Sequence, residues 1–479
     1  MAERTLQADI AVVGAGPAGI AAAARAAEAG RSVIVLDAAP RPGGQIWRHR
    51  RRDELPRRAR VWLDRLDRSG ARVLCGAQVV DAYAVDARGV AAGAAGAQEG
   101  DGAPADARGT DARRADGHGA AARGADAHGP EPPVVAPAGA PAAGFRLLAD
   151  VGGAAVAVMA GRLILATGAR ERFLPFPGWT LPNVFGVGGA QALLKAGASF
   201  AGRRVVVAGS GPLLLAVAAS LVRHGARVAV VAEQAGRGAL LRFGAGLWRS
   251  PGRLVQAARY RATLGRTRYA AGCWVVRADG DDAVREVTLT DGRRPWTEPC
   301  DILCTGYGLV PNTELAEWLG CAVDAAGVRV DDRQRTTIPG IYCAGEPTGV
   351  AGVDAALAEG EVAGIDAAGA EGAPRGLDAR RRRERRLAQR MDRAFALRTE
   401  LRDLPSDDTI LCRCEDVTRA AVDPAWSFRQ AKLYSRLGMG PCQARVCGPA
   451  CAFLFGWERP SVRAPTAPAA ASVLAAHDG

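Results

Sequence analysis

The fold is decided by the stretch Asp9-Ile-Ala-Val-Val-Gly-Ala-Gly-Pro-Ala-Gly19. An apolar run rich in strand-forming residues ends here in the pattern Gly-x-Gly-x-x-Gly, and an Ala-rich segment follows to residue 29. A second apolar run, Ser32-Val-Ile-Val-Leu-Asp37, comes next. This order predicts a strand, a phosphate-binding turn, a helix and a second strand. Such a βαβ unit is typical of a dinucleotide-binding domain.

The residues of this turn have separate predicted roles. Gly14 permits the tight turn, Gly16 lets the backbone approach a pyrophosphate, and Gly19 allows the helix to pack closely on the strand. The N-terminus of the helix offers unpaired N–H groups to the anion. Asp37 ends the second strand, where a carboxylate can accept hydrogen bonds from ribose hydroxyls. The predicted binding residues are Gly14, Gly16, Pro17, Ala18, Gly19 and Asp37.

Three further motifs favour a flavin dinucleotide at this site. Gly44 and Gln45 follow the second strand, where glycine lets the backbone pass beside a flat ring and Gln45 can hydrogen-bond to it; an ordinary surface turn is the alternative. The segments Ala166-Thr-Gly168 and Ala344-Gly-Glu346 recur at separations typical of flavoproteins with two nucleotide domains. The predicted contacts in these segments are Thr167, Gly168, Gly345 and Glu346, with Glu346 in place of the more usual Asp.

A second βαβ unit follows later in the chain. The apolar run from Arg204 ends in Gly209-Ser-Gly211, and Glu233 ends the next strand in the acidic ribose position. Leu214 stands where the third glycine is expected, so either the helix lies farther from the strand or the two cross at a different angle. Gly209 and Gly211 are therefore candidate NAD(P)-binding residues, and a scaffolding domain without ligand is an equal alternative.

Four cysteines near the C-terminus are the candidate metal ligands. Cys412 and Cys414 form a C-x-C pair, and Cys442 and Cys447 form a C-x4-C pair. Thiolates suit an iron–sulfur cluster or zinc. Because a metal centre fused to a flavoprotein usually carries electrons, we favour a [2Fe–2S] cluster; a structural Zn(Cys)4 site is the alternative. Cys451, four residues after Cys447, is a further thiol that could compete as a ligand.

Composition narrows the class of protein. The 479 residues carry a formal net charge of +12, but Lys195 and Lys432 are the only lysines. The excess of arginine accompanies a general Ala, Gly and Arg bias, so we predict no nucleic-acid partner. No stretch is long and apolar enough to predict a transmembrane segment. Eleven cysteines without a signal peptide predict a reducing cytoplasm. No residue qualifies as a catalytic base, and the five histidines form no triad or metal spacing.

The expected fold class is α/β, with two Rossmann-like dinucleotide-binding domains of the disulfide-reductase flavoprotein type and a small C-terminal helical domain that binds [2Fe–2S]. The low-complexity residues 88–143 have too few large apolar side chains to offset the entropy of ordering and are predicted to be disordered. The predicted divisions are a first domain at 1–190 and 313–370, a second at 191–312, an Arg-rich linker helix at 371–408, the cysteine domain at 409–456 and a flexible tail at 457–479.

These motifs together resemble those of a known family, the large FAD/NAD(P)-binding α subunits of bacterial amino-acid and opine dehydrogenases. The A chain of octopine oxidase, the α chain of D-hydroxyproline dehydrogenase and the middle subunit of hydrogen cyanide synthase belong to it. The resemblance covers nearly the whole chain apart from 88–143 and the tail. The stretch between Cys414 and Cys442 is several residues shorter than in that family. The motifs concerned are Gly43-Gly-Gln-Ile-Trp47, Ala166-Thr-Gly-Ala-Arg-Glu-Arg172, Gly209-Ser-Gly-Pro-Leu-Leu-Leu215, Cys412-Arg-Cys-Glu-Asp-Val-Thr418 and Gly438-Met-Gly-Pro-Cys-Gln443.

The resemblance implies FAD in the first domain and a C-terminal [2Fe–2S] module like that of bacterioferritin-associated ferredoxin (BFD-like). NAD(P) in the second domain, or FMN at a subunit interface, is a further expectation. The implied partners are a smaller FAD-dependent β subunit like D-amino-acid oxidase, which oxidises a C–N bond, and in some relatives a small ferredoxin-like subunit. Electrons from an imino acid, opine or amino acid would pass through this chain to an acceptor. Two alternatives stay open: an NAD(P)H-dependent reductase that feeds the cluster, and a non-catalytic nucleotide-binding scaffold.

Overall fold

The structure is a computed structural model, and it describes residues 4–86, 144–372, 375–458 and 460–475. The predicted disordered insertion, 88–143, lies outside the described residues. The chain before residue 172 builds most of a first domain. Its elements are β1 (Arg4–Val13), α1 (Pro17–Glu28), β2 (Val33–Asp37), α2 (Arg57–Arg68), β3 (Arg72–Cys75), β4 (Ala77–Val85), β5 (Gly144–Val151), β6 (Ala154–Leu165) and β7 (Ala169–Glu171), with a 3-10 turn at Arg52–Glu54.

The first sheet has the strand order β3-β2-β1-β6-β5-β4. The three strands β1, β2 and β3 run parallel, as the βαβ pattern requires, and β1 also runs parallel to β6. The meander β4–β5–β6 is antiparallel. The residues of β2 are all buried, because helices or other chain segments cover both faces of a parallel sheet.

The next part of the chain forms the second domain. Its parallel sheet has the order β11-β10-β9-β15-β8, and a smaller antiparallel sheet, β12-β13-β14, lies beside it. The elements are β8 (Val184–Gly186), α3 (Val187–Lys195), β9 (Arg204–Gly209), α4 (Leu213–Arg223), β10 (Arg227–Glu233), α5 (Arg237–Gly246), α6 (Pro251–Leu264), β11 (Arg268–Ala271), β12 (Trp274–Asp279), β13 (Glu286–Thr290), β14 (Pro295–Pro299), β15 (Ile302–Gly306) and β16 (Leu309–Pro311), with a 3-10 turn at Leu247–Arg249.

The predicted boundary of the second domain at residue 191 is too late. The short strand β8 pairs with β15, so it belongs to the second sheet. The side chains of Phe176 and Trp179, which precede β8, are buried in the core of the same domain. A three-residue strand carries no periodicity of its own, which is why the sequence did not indicate it. The two domains are joined by the antiparallel pair β7–β16.

The chain then returns to the first domain through α7 (Glu314–Trp318), β17 (Ile341–Cys343) and α8 (Val353–Ala368), with a 3-10 turn at Glu346–Thr348. The strand β17 adds to β6 in parallel. Helices α1 and α8 pack closely because small residues face each other across the contact. A Cβ atom at Gly360 or Gly364 would overlap the backbone carbonyls of Ala18 and Ala22. Larger residues at these glycines would force the two helices apart.

The Arg-rich helix α9 (Leu377–Ala394) is more than a linker. Its buried face is formed by Leu377, Arg381, Glu384 and Ala388, whereas Leu387, Met391 and Phe395 are only half-buried. Several arginines of this helix are paired with acids on other elements, so they have structural roles within the general arginine bias of the chain. These pairs are Arg380 with Asp354, Arg381 with Asp332 and Arg385 with Glu359.

The cysteine domain has its own small core, built around Leu411, Phe428, Leu437 and Trp457. A 3-10 turn at Thr399–Asp403 leads into it. Its elements are β18 (Ile410–Cys412), β19 (Val417–Thr418), α10 (Phe428–Ser435) and α11 (Cys447–Phe455). Helix α10 begins with a capping box, in which Ser427 and Gln430 each accept a hydrogen bond from the other's backbone N–H.

The prediction of a flexible tail is wrong for residues 460–475. This segment docks on the first domain and ends in α12 (Ala471–Ala475). Val473 is fully buried against Val80 and Leu148, and Thr466 donates its backbone N–H to the carbonyl of Val80 at 2.6 Å. The few apolar residues among the prolines and alanines of this segment are sufficient to dock it, because they pack against one face of the meander. Over all the described residues, no helix is both long enough and apolar enough to span a membrane.

Candidate functional site: two nucleotide turns and a four-cysteine cavity

The first glycine turn lies between β1 and α1, as predicted. Gly14 has φ of 102°, a conformation that favours glycine, and a Cβ there would overlap the carbonyl of Ala166. A Cβ on Gly16 would meet no atom within 4 Å, so this part of the turn leaves room for a ligand. The turn therefore has the shape that a pyrophosphate requires, with its helix N-terminus at the open side.

Asp37 organises this turn from within. One carboxylate oxygen accepts a hydrogen bond from the backbone N–H of Ala15, and the other accepts one from Ala39 at 2.7 Å. Burial raises the pKa of Asp37 despite these two bonds. The carboxylate thus holds the turn in place through both of its oxygens.

The other predicted flavin contacts converge on the same turn. A Cβ at Gly44 would lie 2.9 Å from Cα of Gly16, and one at Gly345 would lie 2.8 Å from Cβ of Ala18. Thr167 follows Ala166, which touches Gly14, and Gly168 completes that turn with φ of 73°. Gln45 is exposed, and its backbone carbonyl accepts a hydrogen bond from Lys195 at 3.1 Å.

Glu346 supplies a test of whether a flavin nucleotide fits. Its Oε1 accepts the backbone N–H of Gly352 at 2.9 Å. Its Oε2 is buried and has no hydrogen-bond partner among the described residues. Burial raises the pKa of this carboxyl group. A buried oxygen without a donor needs one, and a ribityl hydroxyl group would supply it, so the residues present fit FAD.

Lys195 was missed by the sequence reasoning. It lies at the end of α3, and its Nζ donates hydrogen bonds to the carbonyls of Gln45 and Ile46 at 3.1 and 2.8 Å. Burial, with the nearby charge of Arg48, lowers the pKa of Lys195 to about 8. The only available signal was its rarity, because this chain otherwise uses arginine for nearly every positive charge.

The second glycine turn is arranged differently. Glu233 is fully buried, and its two oxygens accept the backbone N–H groups of Gly211 and Ala235, each at 2.8 Å. Burial raises the pKa of Glu233 to about 7. Gly209 has φ of 139°, and a Cβ there would overlap the carbonyl of Gly306. The hydroxyl of Ser210, between the two glycines, donates to the carbonyl of Phe395 at 2.8 Å.

The four predicted cysteine ligands lie around one cavity of about 230 Å³. Phe173 and Val446 supply apolar walls. Cys412 lies beside Cys447, and Cys414 lies beside Cys442. All four cysteines line this one cavity although the connection between Cys414 and Cys442 is short.

The electrostatics of the cysteine cavity favour thiolate at one position. The hydrogen bond from the Cys447 thiol, with the N–H groups of Gly438, Glu415 and Cys414, holds the pKa of Cys412 well below its usual range. The same bond raises the pKa of Cys447. Across the described part of the chain, no three His, Cys, Asp or Glu side chains are already spaced to hold a metal ion. The donor set has the chemistry of an iron–sulfur or zinc site.

A chain of hydrogen bonds joins the cysteine cavity to the first nucleotide turn. Arg170 donates from Nε to the carbonyl of Arg445, between Cys442 and Cys447, at 3.0 Å. It also donates to Oδ1 of Asn312 at 2.7 Å, and the amide of Asn312 donates to the carbonyl of Thr167 at 2.8 Å. Sequence reasoning missed both residues, because Arg170 was given no role within the motif at 166–172 and Asn312 belongs to no motif.

Comparison with known proteins agrees with this geometry. The family model for pyridine nucleotide-disulphide oxidoreductases matches residues 140–361, and that for NAD(P)-binding Rossmann-like domains matches residues 12–79. The A subunit of opine oxidase from Rhizobium meliloti (strain 1021) is 31% identical over 475 residues, covering 92% of this chain and 90% of that protein. Hydrogen cyanide synthase subunit HcnB of Pseudomonas protegens is 32% identical over 339 residues, covering 62% of this chain and 72% of the relative.

The chain belongs to the family of HcnB and the opine oxidase A subunits. This confirms the family expected from the motifs, and it makes the chain a member of a flavoprotein oxidoreductase family. The two family-model matches imply binding of FAD or NAD(P).

Solved structures confirm the fold of this family member. L-proline dehydrogenase from P. horikoshii superimposes with a TM-score of 0.64 at 18% identity, covering 99% of this chain and 80% of that one. Thioredoxin reductase of T. acidophilum has a TM-score of 0.50 at 20% identity, covering 76% of this chain and 98% of the other. At such identities the likeness shows the fold alone. The predicted fold class, with two Rossmann-like domains of the disulfide-reductase type, is thereby confirmed.

Proposed function

We propose that this chain is the FAD- and [2Fe–2S]-containing electron-transfer subunit of a heteromeric dehydrogenase or oxidase that acts on the C–N bond of an imino acid, opine or amino acid. The observation that carries the proposal is the position of the four-cysteine cavity beside the flavin-type turn. Relatives of about 30% identity are named as subunits of opine oxidase and hydrogen cyanide synthase, which supports a hetero-oligomer.

The distance between the two sites supports electron transfer between them. Gly168 belongs to the first nucleotide turn and Phe173 lines the cysteine cavity, so the two residues are five Cα–Cα steps apart along the chain. Such a segment spans at most about 17 Å when fully extended. The hydrogen-bond chain through Arg170 and Asn312 also links the cysteine cavity to Thr167 beside the first nucleotide turn.

The residues that would hold each group follow from the site. Gly14, Gly16, Asp37, Gly345 and Glu346 would hold FAD, with the remaining predicted contacts around them. The cluster would be held by Cys412, Cys414, Cys442 and Cys447. Together, a flavin and an iron–sulfur cluster supply the conversion between two-electron and one-electron transfer.

Substrate oxidation is assigned to a partner. Sequence reasoning found no catalytic base in this chain, and the motifs account for cofactor binding alone. The proposed partner is a smaller FAD-dependent β subunit like D-amino-acid oxidase, and a further proposed component is a small ferredoxin-like subunit. Eleven free cysteines support a reducing, cytoplasmic setting.

The ligand assignment is tested with cysteine variants of the full chain purified without air. Cys442→Ser should lose iron, acid-labile sulfide and the visible absorbance of the cluster while it retains flavin. Cys451→Ser is the matched control, because this thiol is fully buried four residues from Cys447 but does not line the cavity. Retention of iron and sulfide in Cys442→Ser, or stoichiometric zinc in the wild-type protein, would refute the assignment.

The partner is tested by co-expression with neighbouring reading frames that encode an amino-acid-oxidase-like flavoprotein. The complex should reduce a dye with one of proline derivatives, opines, glycine or sarcosine as donor, whereas this chain alone should not. If NADH alone bleached the flavin of the isolated chain, the reductase alternative would be favoured instead. A colourless protein with bound nucleotide would favour the scaffold.

A further inference from the structure

The second nucleotide turn is covered by a segment of this chain that comes from far along the sequence. Residues 395–398, which we name the strap, follow α9 and cross the turn Gly209-Ser210-Gly211. Besides the bond from Ser210 to the carbonyl of Phe395, the side chain of Gln234 donates to the carbonyl of Ala396 at 3.0 Å. The backbone N–H of Arg398 donates to Oε1 of Gln234 at 3.2 Å.

Gln234 is the centre of these contacts. It directly follows Glu233 at the end of β10 and is fully buried. Its amide also donates to Oγ of Ser210 at 2.9 Å, so the residue after the acidic position, the turn and the strap form one network. At the first turn the corresponding place after Asp37 is taken by Ala38, which has no side chain able to form such bonds.

The strap borders the cavity that lies beside the second glycine turn. Ser210, Gly211 and Pro212 line a cavity of about 1220 Å³, and Phe395, Ala396 and Leu397 line the same cavity. In a dinucleotide-binding domain the pyrophosphate lies over the glycine turn and the ribose lies near the end of the second strand. These are the two places, Ser210 and Gln234, that the strap contacts.

Both ends of the strap are anchored. On one side the ring of Phe395 packs edge-on against Phe243, with ring centroids 5.3 Å apart. On the other side the guanidinium group of Arg398 stacks over the ring of Trp274 at 4.3 Å, and Leu401 is fully buried. The residues of the strap that contact the turn therefore belong to a segment that is packed at both ends.

We propose that the strap closes the second nucleotide turn, so that NADH or NADPH can occupy it only after residues 395–398 have left. The strap, rather than the missing third glycine, is then the feature that excludes nicotinamide dinucleotides from this domain. The proposal is independent of the iron–sulfur assignment, and cluster content would not change with its outcome.

The expected size of the effect follows from the number of bonds. A typical intramolecular hydrogen bond shifts an equilibrium by about fivefold, so the three shortest bonds that join the strap to Ser210 and Gln234 favour the closed state by on the order of a hundredfold. A ligand that binds only the open state loses affinity by the same factor. Removal of the Gln234 side chain should restore on the order of tenfold or more of that affinity.

The test measures NADH and NADPH affinity by equilibrium dialysis on the full wild-type chain and on Gln234→Ala, with Ser210→Ala as a milder second variant should the first fail to fold. Gln256→Ala is the matched control, because Gln256 lines the same cavity but bonds only to Tyr260, at 3.1 Å, among the described contacts. The strap variants should bind at least tenfold more tightly than the wild type, and the control should not.

Hydrogen exchange gives the second readout. In the wild-type chain, saturation with NADH should increase the exchange of the amides of 395–398. Equal affinity in the wild type and the strap variants, absence of binding in every variant, or binding to the wild type with the protection of 395–398 intact would each overturn the proposal.

Discussion

Substitution of Arg385 by alanine should destabilise the first domain and weaken flavin binding. Arg385 donates from Nε to Oε1 of Glu359 at 2.6 Å, and its guanidinium group also reaches Thr348 and the carbonyl of Gly349. Glu359 is 1% exposed, so Arg385→Ala would leave a buried carboxylate without its cation. The other oxygen of Glu359 accepts the backbone N–H of Gly345 at 2.9 Å, which connects this pair to the flavin-type turn.

The magnitude follows from the burial of the pair. Removal of one partner of a buried ion pair costs about 3–5 kcal/mol. Because the side chain of Arg385 is 27% exposed, water can partly replace it, and we expect the lower end, about 3 kcal/mol. That value corresponds to a loss of about a hundredfold in the folding equilibrium.

The assay is urea unfolding of the full chain, followed by circular dichroism, with flavin content measured after gel filtration. Arg382→Ala is the control, since that neighbouring arginine is exposed on the same helix; it should change the free energy of unfolding by no more than about 0.5 kcal/mol. Adding Glu359→Gln to Arg385→Ala should recover stability, because it removes the uncompensated charge. The reasoning is refuted if Arg385→Ala unfolds at the same urea concentration as the wild type. It is also refuted if the double variant is less stable than Arg385→Ala.

Three further predictions concern other parts of the molecule. Arg170→Ala removes a charged donor from the carbonyl of Arg445 and should weaken docking of the cysteine domain by about 2 kcal/mol. The measurement is hydrogen exchange of the amides at 442–447, which should become faster. Arg277→Ala is the control, because this exposed arginine is paired with Asp279 and its removal should leave that exchange unchanged. Burial raises the pKa of Glu233 to about 7, so folding gains up to about 3 kcal/mol from the protonated form at low pH, and this gain is lost as pH rises from about 4.5 to 7. The midpoint of urea unfolding should therefore fall less over this pH window in Glu233→Gln than in the wild type. The same pH dependence in both proteins would contradict the raised pKa of Glu233. Val473→Ala removes two buried methyl groups and should cost about 1–2 kcal/mol in thermal or urea unfolding, whereas no loss would show that the tail contributes nothing to stability.

Local sequence patterns predicted most of the architecture. The two glycine turns, their acids and the helices after them follow from periodicity and from glycine spacing, which act over fewer than about 40 residues in a βαβ unit. The first site could likewise be predicted in outline, because Gly14, Asp37 and Gly345 each stand in a short motif. Family resemblance then supplied the expectation of a flavin and of a cysteine-bound cluster, of which the cluster stays a prediction.

What the sequence could not predict are contacts between distant segments. The strap has no motif, and its bonds to Ser210 and Gln234 depend on how α9 crosses both domains. The docking of Val473 depends on one face of the meander, which no local pattern describes. Arg170 and Arg385 look like surface arginines in so basic a chain, and only the burial of their partners distinguishes them.

The hairpin position of the low-complexity insertion has a practical consequence. Val85, at the end of β4, pairs directly with Gly144, at the start of β5, so the chain leaves and re-enters the sheet at neighbouring residues. The entropy of closing such a loop grows only with the logarithm of its length, by about 0.6 kcal/mol for each doubling. This edge of the first domain is therefore a suitable insertion site for another domain. A fluorescent reporter or affinity module placed between Val85 and Gly144 should leave both nucleotide turns and the cysteine cavity in place.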